Sequence, residues 1–362
     1  MKSKMSEMGL IVLDGAKEFG KKVDGYLKEL NQTKNSFILD MNCPRFGTGE
    51  AKCHISESVR GKDIYILLDI CNYSIKYTVC GIETVMSPDD HYQDLKRVIS
   101  AISGKARRIS VIMPFLYESR QHKRSSRESL DCALMLHELE NMGVDNIITF
   151  DAHDPRVQNA LFKTSFESVP ATYQFIKTLL TAEKNVDLNE FFVISPDEGA
   201  TSRAIFLSNM LGVNMGMFYK RRDFTKVVDG RNPIVAHEFL GESVEGRRCI
   251  IIDDMISSGD SVLDVAKQLK SRGAKEIIVL ATFGLFTSGL EKFDKAYEEG
   301  LISKILTTNL IYQKPELFEK EYYYNVDMSE YVAAIINNLS YDNSLSELIN
   351  PTNKIQKFIR ER

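Results

Sequence analysis

Residues 249–261 read CIIIDDMISSGDS, an apolar run that ends in two adjacent acids and continues into a short Ser/Gly loop. The run predicts a buried strand, and the residues after the loop predict a helix over 261–272. Ligands of α/β sheets bind at the carboxyl ends of the strands, where Asp253 and Asp254 lie. Backbone N–H groups before a helix favour an anion, whereas two carboxylates favour hydroxyl groups or a cation. A sugar phosphate carries both kinds of group; the alternative is an ordinary Ser-capped helix with solvated acids.

The alternation of strand and helix runs along most of the chain. The predicted strands are LIVL, SFILDM, DIYILLDI, RRISVIMPF, NIITFDAH, FFVISPD, RRCIIIDD and EIIVLATF, and the predicted helices are 16–30, 127–142, 171–183, 201–211 and 261–272. Short β-branched runs between helices predict mainly parallel sheets flanked by helices, so the fold class is α/β. The stretch 71–95 has no clear period and is interpreted as an insertion or a long loop between two strands.

A weak internal repeat suggests two similar domains. SSRESLDCALMLHELENMGVDNIITFDAH aligns with SSGDSVLDVAKQLKSRGAKEIIVLATF, which places Gly143 opposite Gly273. Both segments read as Ser-Ser, a helix, a glycine stop and an exit strand. The alignment predicts two copies of one α/β domain with a boundary near 165–172, unless it reflects only the likeness of any two βα units.

Composition narrows the class of protein. A chain of 362 residues with 43% hydrophobic and 27% charged residues is typical of a soluble globular protein of about two domains. A net charge of -4 gives no general attraction to nucleic acid, and no apolar stretch approaches the ~20 residues that span a membrane. The six cysteines contain no C-x-x-C pair, which disfavours structural zinc and disulfides and favours a cytoplasmic location. The phosphate-binding motifs G-x-x-x-x-G-K-[ST] and G-x-G-x-x-G are absent from the sequence.

Polar residues follow other predicted strands. Arg120 and Gln121 can pair with phosphate or adenine, although a solvated basic turn is the alternative. His153 stands between two acids just after NIITF, which makes a cation site plausible beside a purely structural role. Asp197 follows FFVIS, where a single Asp usually caps a helix. Lys220 and Arg222 belong to a basic cluster that suits a developing polyphosphate charge or an exposed loop.

Taken together, these motifs resemble the ribose-phosphate diphosphokinases, which share the type I phosphoribosyltransferase fold. IIIDDMISSGDS is similar to the family's sugar-phosphate loop. The other matches, in chain order, are RFGTGE at 45–50, PFLYESRQHKR at 114–124, DAHDPRVQ at 151–158, SPDEGATSRA at 195–204 and YKRRDF at 219–224. The resemblance runs from about residue 10 to 345. It implies tandem phosphoribosyltransferase-like domains at 1–168 and 169–330, and a helical segment at 331–362 that packs back on the N-terminal domain.

The resemblance also implies an activity and a role for each motif. The family transfers the diphosphoryl group of ATP to ribose 5-phosphate, uses Mg²⁺ and assembles as dimer-based hexamers, so a homo-oligomer is expected. By this likeness, Lys220 and Arg222 are catalytic, and His153 and Asp197 hold the metal. The residues expected to bind ATP are Phe46, Thr48, Gly49, Glu50, Arg120 and Gln121. Those expected to bind the ribose phosphate are Asp253, Asp254, Ser257, Ser258, Gly259, Asp260 and Ser261.

Several positions depart from the family pattern. Ser257 replaces an Asp, Asp260 a Gly and Thr48 an Asp; His122-Lys123 replaces Asp-Arg, and Arg156 replaces a Gln. The carboxylate of Asp260 either repels the sugar phosphate or caps the following helix, and its place just before the apolar period favours the cap. Three other functions stay open: a non-catalytic regulatory paralogue, a phosphoribosyltransferase and a nucleotide-sensing binding module.

Overall fold

The computed structural model describes residues 7–183, 186–222 and 234–362, without the side chains of 220–222 and 234–237. The chain divides into two compact units. Unit 1 comprises Met1–Ala171, Asn309–Tyr312 and Asp327–Pro351, and unit 2 comprises Thr172–Thr308, Gln313–Val326 and Thr352–Arg362. The segment 331–362, expected to pack on the N-terminal domain, is therefore divided between the units after Pro351.

Unit 1 is built on a five-stranded parallel sheet. In chain order its elements are β1 (Met8–Val12), α1 (Lys17–Leu30), β2 (Met41–Asn42), β3 (His54–Ile55), β4 (Asp63–Leu67), β5 (Lys76–Val79), β6 (Ile82–Val85), α2 (Pro88–Ile102), β7 (Arg108–Ile112), α3 (Asp131–Asn141), β8 (Asn146–Phe150), β9 (Ser165–Val169) and, late in the chain, α8 (Ser329–Ser340) and α9 (Ser346–Ile349). The sheet order is β1-β4-β7-β8-β9. Every residue of β1 and β4 is buried, as expected for parallel strands covered on both faces.

Unit 2 is built on a seven-stranded sheet. Its elements are α4 (Thr172–Ala182), β10 (Phe191–Ser195), α5 (Thr201–Leu211), β11 (Met215–Arg222), β12 (Ile234–Leu240), β13 (Arg248–Ile256), α6 (Asp260–Ser271), β14 (Glu276–Gly284), α7 (Glu291–Glu298), β15 (Lys304–Thr308), β16 (Tyr323–Val326) and α10 (Thr352–Arg360). The order is β12-β11-β10-β13-β14-β15-β16, and only β12 pairs antiparallel. No helix in the described parts of either unit is long and apolar enough to cross a membrane.

The two sheets share a connectivity, but the repeat read from the sequence is one βα unit out of register. Strands β1-β4-β7-β8-β9 correspond to β10-β13-β14-β15-β16, because both runs pair in parallel in the same order. The helix before β7 is α2 and the helix before β14 is α6, so α6 corresponds to α2 and not to α3. The match of Gly143 with Gly273 therefore reflected the general likeness of βα units.

Three other segments differ from the sequence predictions. The predicted strand SFILDM at 36–41 makes only a single parallel bridge to the sheet, Ile38 with Leu10, and its last residue, Met41, begins β2. Buried Asp24 accepts the N–H of Phe37 at 2.8 Å. The stretch 71–95 contains the β5–β6 hairpin and the first half of α2, which begins with a capping box of Ser87 and Asp90. The predicted helix 127–142 begins only at Asp131.

Candidate functional site

Acidic side chains meet at one edge of the sheet in unit 2. β10 and β13 are parallel neighbours, so the ends that carry Asp197 and the pair Asp253 and Asp254 lie at the same edge. β13 continues to Ile256, so the two acids are among the last residues of the strand and do not follow it. Asp254 is buried, its N–H donates to Oδ1 of Asp253 at 2.8 Å, and its Oδ2 lies 3.9 Å from Nη2 of Arg203.

The carboxylates at this edge repel one another. Burial raises the pKa of Asp253 well above its usual value, and the neighbouring carboxylates of Asp254 and Asp197 raise it further. A bound cation would reverse this effect, because opposite charge favours the ionised carboxylate. Carboxylate oxygens are the type of ligand that Mg²⁺ prefers.

Hydrogen bonds to backbone carbonyl groups hold the loop 257–259 in place. The carbonyl of Ile256 accepts from the N–H groups of Leu285 and Phe286 at 2.9 and 3.3 Å, and that of Ser257 accepts from Thr287 at 3.0 Å. The backbone N–H groups of residues 257–259 have no acceptor within the described parts of the chain. Such a row of N–H groups at the start of a helix binds anions.

Gly259 shapes this loop. Its φ is +87°, a left-handed conformation, and a Cβ built on it would stand 2.3 Å from Cζ of Phe293, a completely buried ring. Any other residue there meets both backbone strain and a clash. The glycine is thus required by the packing of α7 against the loop as well as by the turn.

The cap interpretation of Asp260 is wrong. Gly259 occupies the N-cap position of α6, and Asp260 is the first helical residue. The Asp260 carboxylate accepts from the Ser258 hydroxyl at 2.9 Å and pairs with Nζ of Lys292 at 2.5 Å. These two contacts, Lys292 first, lower the pKa of Asp260, whose side chain is 70% exposed. Lys292 therefore neutralises the acid that departs from the family pattern, a pairing across 32 residues that no local sequence signal reveals.

In unit 1 the segment 45–51 forms a closed hairpin loop. The N–H of Phe46 donates to the carbonyl of Glu50 at 2.7 Å, and that of Gly49 to the carbonyl of Phe46 at 2.8 Å. The hydroxyl of Thr48 donates to Oε2 of Glu50 at 3.0 Å. The Phe46 ring is 53% exposed, which leaves its face available to a ligand.

The hairpin β5–β6 supports this loop. The N–H of Cys80 donates to the carbonyl of Gly47 at 2.7 Å. Arg45 lies over the ring of Tyr77 at 4.9 Å and donates to the carboxylate of Asp94 at 2.7 Å. The sequence prediction missed Arg45 and Tyr77 as supports, because their partners lie in the stretch that showed no periodicity.

Arg120 and Gln121 were expected to end a strand, but β7 ends at Ile112, and the two residues lie in the connection between β7 and α3. The Arg120 side chain is exposed. The Gln121 amide donates to the carbonyl of Ser129 at 2.8 Å, and its backbone N–H donates to the carbonyl of Glu118 at 2.8 Å. Gln121 thus organises the loop that leads to α3, and its role toward adenine stays a prediction.

His153 lies in a small cluster in unit 1. Its exposed ring stands 5.3 Å from that of His122, and Nε2 of His122 lies 3.5 Å from Oδ2 of Asp154. Arg156 holds both oxygens of Asp154, and this contact, ahead of all others, lowers the pKa of that carboxyl. Two departures from the family pattern, His122 and Arg156, therefore converge on one acid.

The structure describes the positions of only some of the residues expected to bind the metal or to act in catalysis. His153 belongs to unit 1 and Asp197 to unit 2. Among the described residues no group of three or more His, Cys, Asp or Glu side chains is arranged to hold a metal. Lys220 and Arg222 occupy the last positions of β11, and their side chains lie outside the described part of the structure.

Comparison with known proteins gives the family. Residues 8–143 match the N-terminal domain of ribose phosphate pyrophosphokinase, and residues 229–350 match the phosphoribosyl synthetase-associated domain. A ribose-phosphate pyrophosphokinase of Mycoplasma genitalium is 30% identical over 327 residues, which cover 90% of this chain and 89% of that protein. One of Ralstonia nicotianae is 31% identical over 288 residues, 79% and 81% of the two chains.

The fold agrees with these relatives. The crystal structure of phosphoribosylpyrophosphate synthetase from Mycobacterium smegmatis superposes with a TM-score of 0.75 at 21% identity, covering 93% of this chain and 99% of that one. The two α/β units are accordingly phosphoribosyltransferase-like domains. On the evidence of sequence and fold, this chain belongs to the ribose-phosphate pyrophosphokinase family.

Proposed function

We propose that this protein is a ribose-phosphate diphosphokinase, which transfers the diphosphoryl group of ATP to the anomeric hydroxyl of ribose 5-phosphate. The products are AMP and phosphoribosyl diphosphate. The observation that carries the proposal is the site in unit 2, where the acids of β13 adjoin the N–H groups of loop 257–259. Family membership supports the same activity.

The loop and the acids are proposed to bind different groups of ribose 5-phosphate. The 5-phosphate is proposed to accept from the N–H groups of residues 257–259 and from the hydroxyls of Ser257, Ser258 and Ser261. Ser258 would do so in place of its bond to Asp260. Asp253 and Asp254 accept hydrogen bonds from the ribose hydroxyls. Lys292 supports this assignment, because it offsets the charge of Asp260 beside an incoming phosphate.

The metal and the nucleotide complete the site. His153 and Asp197 are each proposed to ligate Mg²⁺, which when bound would offset the negative charge of the polyphosphate. Mg²⁺ is usually held by one or two carboxylates together with substrate phosphates, so the proposed site needs few protein ligands. ATP is assigned to Arg120 and Gln121, and to Phe46, Thr48, Gly49 and Glu50 supplied across a dimer interface.

Lys220 and Arg222 are proposed to stabilise the developing charge on the transferred group. Loss of one preorganised stabiliser typically costs about 2.7–4 kcal/mol in the barrier, or about 10²–10³ in kcat. Lys220→Ala should therefore lower kcat far more than it raises the KM for ribose 5-phosphate. An unchanged kcat with a raised KM would contradict this role.

The activity is tested by measuring AMP formation from ATP with and without ribose 5-phosphate. AMP that appears only with the sugar phosphate, in equal amount to phosphoribosyl diphosphate, supports the proposal. Tight binding of both substrates with no AMP would instead indicate a regulatory paralogue, the alternative that the departures at Ser257 and Asp260 favour. A cytoplasmic homo-oligomer is part of the proposal, and light scattering measures its size.

The proposed domains are 1–168, 169–330 and a C-terminal segment. Limited proteolysis followed by mass spectrometry tests these limits, because cleavage concentrates at exposed connections between domains. Cuts clustered near 168–172 would support the first boundary, whereas cuts only elsewhere would contradict it.

A further inference from the structure

Cys43 and Cys53 face each other across the neck of the loop that contains residues 45–50. The register Asn42↔His54 and the bridge Arg45↔Ala51 make Cys43 and Cys53 directly opposite residues. Each thiol shifts the pKa of the other, as expected for side chains on directly opposite residues. Both side chains are half-buried on the inner face of the ribbon, and all six cysteines are free thiols in this structure.

The pairing type suits a disulfide. The N–H of Lys52 donates to the carbonyl of Pro44, and that of Ser56 to the carbonyl of Asp40. Hydrogen-bonded pairs alternate along an antiparallel ribbon, so Cys43 and Cys53 form a non-hydrogen-bonded pair. Such pairs have Cα atoms about 4.5 Å apart, within the range of about 4.4–6.8 Å that disulfides require.

The two thiols differ in reactivity and access. The neighbouring Cys43 thiol is the main influence on Cys53 and lowers the pKa of its thiol, whereas the neighbouring Cys53 raises the pKa of Cys43. The charge of Asp94 opposes ionisation of both thiols. Cys53 also lines an open groove whose other walls include Lys96 and Arg97 of α2. A small oxidant can therefore reach Cys53.

We propose that Cys43 and Cys53 are a reversible dithiol–disulfide site, oxidised by small disulfides such as glutathione disulfide. The Cys53 thiolate attacks one sulfur of the small disulfide, forms a mixed disulfide and releases one glutathione thiolate, which takes up a proton. Cys43, after losing its proton to solvent, attacks Sγ of Cys53 and releases the second glutathione. Two protein thiols are oxidised by two electrons, and the small disulfide is reduced to two thiols.

This bond closes a covalent ring around residues 45–50. The site is independent of the proposed activity, because it rests only on the register and the thiols of unit 1. Nothing in the sequence spacing suggested it, since the two cysteines lie ten positions apart and match no known redox motif.

The test equilibrates the reduced full-length protein with increasing ratios of glutathione disulfide to glutathione, alkylates the remaining thiols and analyses tryptic peptides by mass. We expect six alkylated thiols to become four. The peptides 35–45 and 53–60 should appear joined, lighter by two hydrogen atoms than their sum. Dithiothreitol should restore all six thiols.

Variants separate the roles of the two thiols. Cys43→Ser should trap Cys53 as a stable mixed disulfide with glutathione, whereas Cys53→Ser should leave Cys43 about tenfold slower to react. Cys80→Ser is the matched control, because Cys80 is exposed on the neighbouring hairpin, and it should leave the joined peptides unchanged. Modification of Cys80 in the wild type while Cys43 and Cys53 both stay alkylated would overturn the proposal, as would separate glutathione adducts without a cross-link.

Discussion

Replacing Gly259 by alanine tests how the sugar-phosphate loop is built. The Cβ of Gly259→Ala would stand 2.3 Å from Cζ of Phe293 and would force a φ of +87° on a residue with a side chain. The left-handed backbone costs about 1–2 kcal/mol. Displacing a completely buried ring adds about 1–3 kcal/mol of overpacking. We therefore expect the variant to lose about 2–5 kcal/mol in the free energy of unfolding of unit 2.

Gly246→Ala is the matched control. Gly246 has a φ of +70°, and nothing lies within 4 Å of a Cβ built on it, so only the backbone term of about 1–2 kcal/mol applies. The difference between the two variants, measured by urea unfolding with circular dichroism, isolates the contact with Phe293. Equal losses in the two variants would refute the packing argument.

A second variant makes the test specific to that ring. Phe293→Leu removes Cζ, the atom nearest the new Cβ, and leaves room for it. The loss in the double variant Gly259→Ala/Phe293→Leu should be smaller than the sum of the single losses by about 0.5–3 kcal/mol. Additive losses would show that the ring does not constrain the loop. Titration calorimetry of Gly259→Ala with ribose 5-phosphate should also show weaker binding, because the shifted loop misplaces its N–H groups.

Three further predictions concern charge. Asp253→Asn should raise the thermal unfolding midpoint at pH 8 and change it little near pH 4. Because the pKa of Asp253 is raised, the native state holds a proton above pH 3.8 that the unfolded chain has lost, so the stability of the wild type falls as the pH rises from there. Thermal scans of both proteins at the two pH values measure this difference. Asp260→Asn should change the affinity for ribose 5-phosphate by less than about fivefold. Lys292→Met should weaken this affinity, because it leaves the charge of Asp260 without its lysine partner. Calorimetry that shows the larger loss for Asp260→Asn would contradict the role of the Asp260–Lys292 pair. Arg156→Gln should raise the pKa of Asp154 toward its ordinary 3.8, which carboxyl NMR titration follows, and an unmoved pKa would show that Arg156 is not its main partner.

The features that could be predicted from the sequence are those that depend on local periodicity. The buried strands β1, β4, β10 and β13 were identified because their runs are continuously apolar, and the acids of β13 were placed at a strand end because such runs end at the ligand edge. The loop after β13 was recognised for the same reason. Family resemblance then supplied the activity, which periodicity alone could not.

The remaining features depend on contacts between distant residues. The β11–β12 ribbon and the β5–β6 hairpin were missed because neither has a strong apolar period. The partner of Asp260 lies 32 positions away and that of Arg45 lies 49 positions away, so register and helix packing decide both pairs. The repeat was misaligned because one helix–glycine–strand unit resembles the next more closely than it resembles its true counterpart.

The division of the chain has a consequence for its biosynthesis. The polypeptide passes between the two units five times, and unit 1 is complete only at Pro351. A ribosome that has made residues 1–171 has supplied the five strands of the first sheet but not α8, which packs on α1. The surface of α1 that α8 covers therefore stays without this partner until nearly the whole protein has been translated. A gene fragment that ends near residue 171 should accordingly yield an aggregation-prone product, and separately expressed halves should gain solubility only when the segment 327–351 is fused to the first of them.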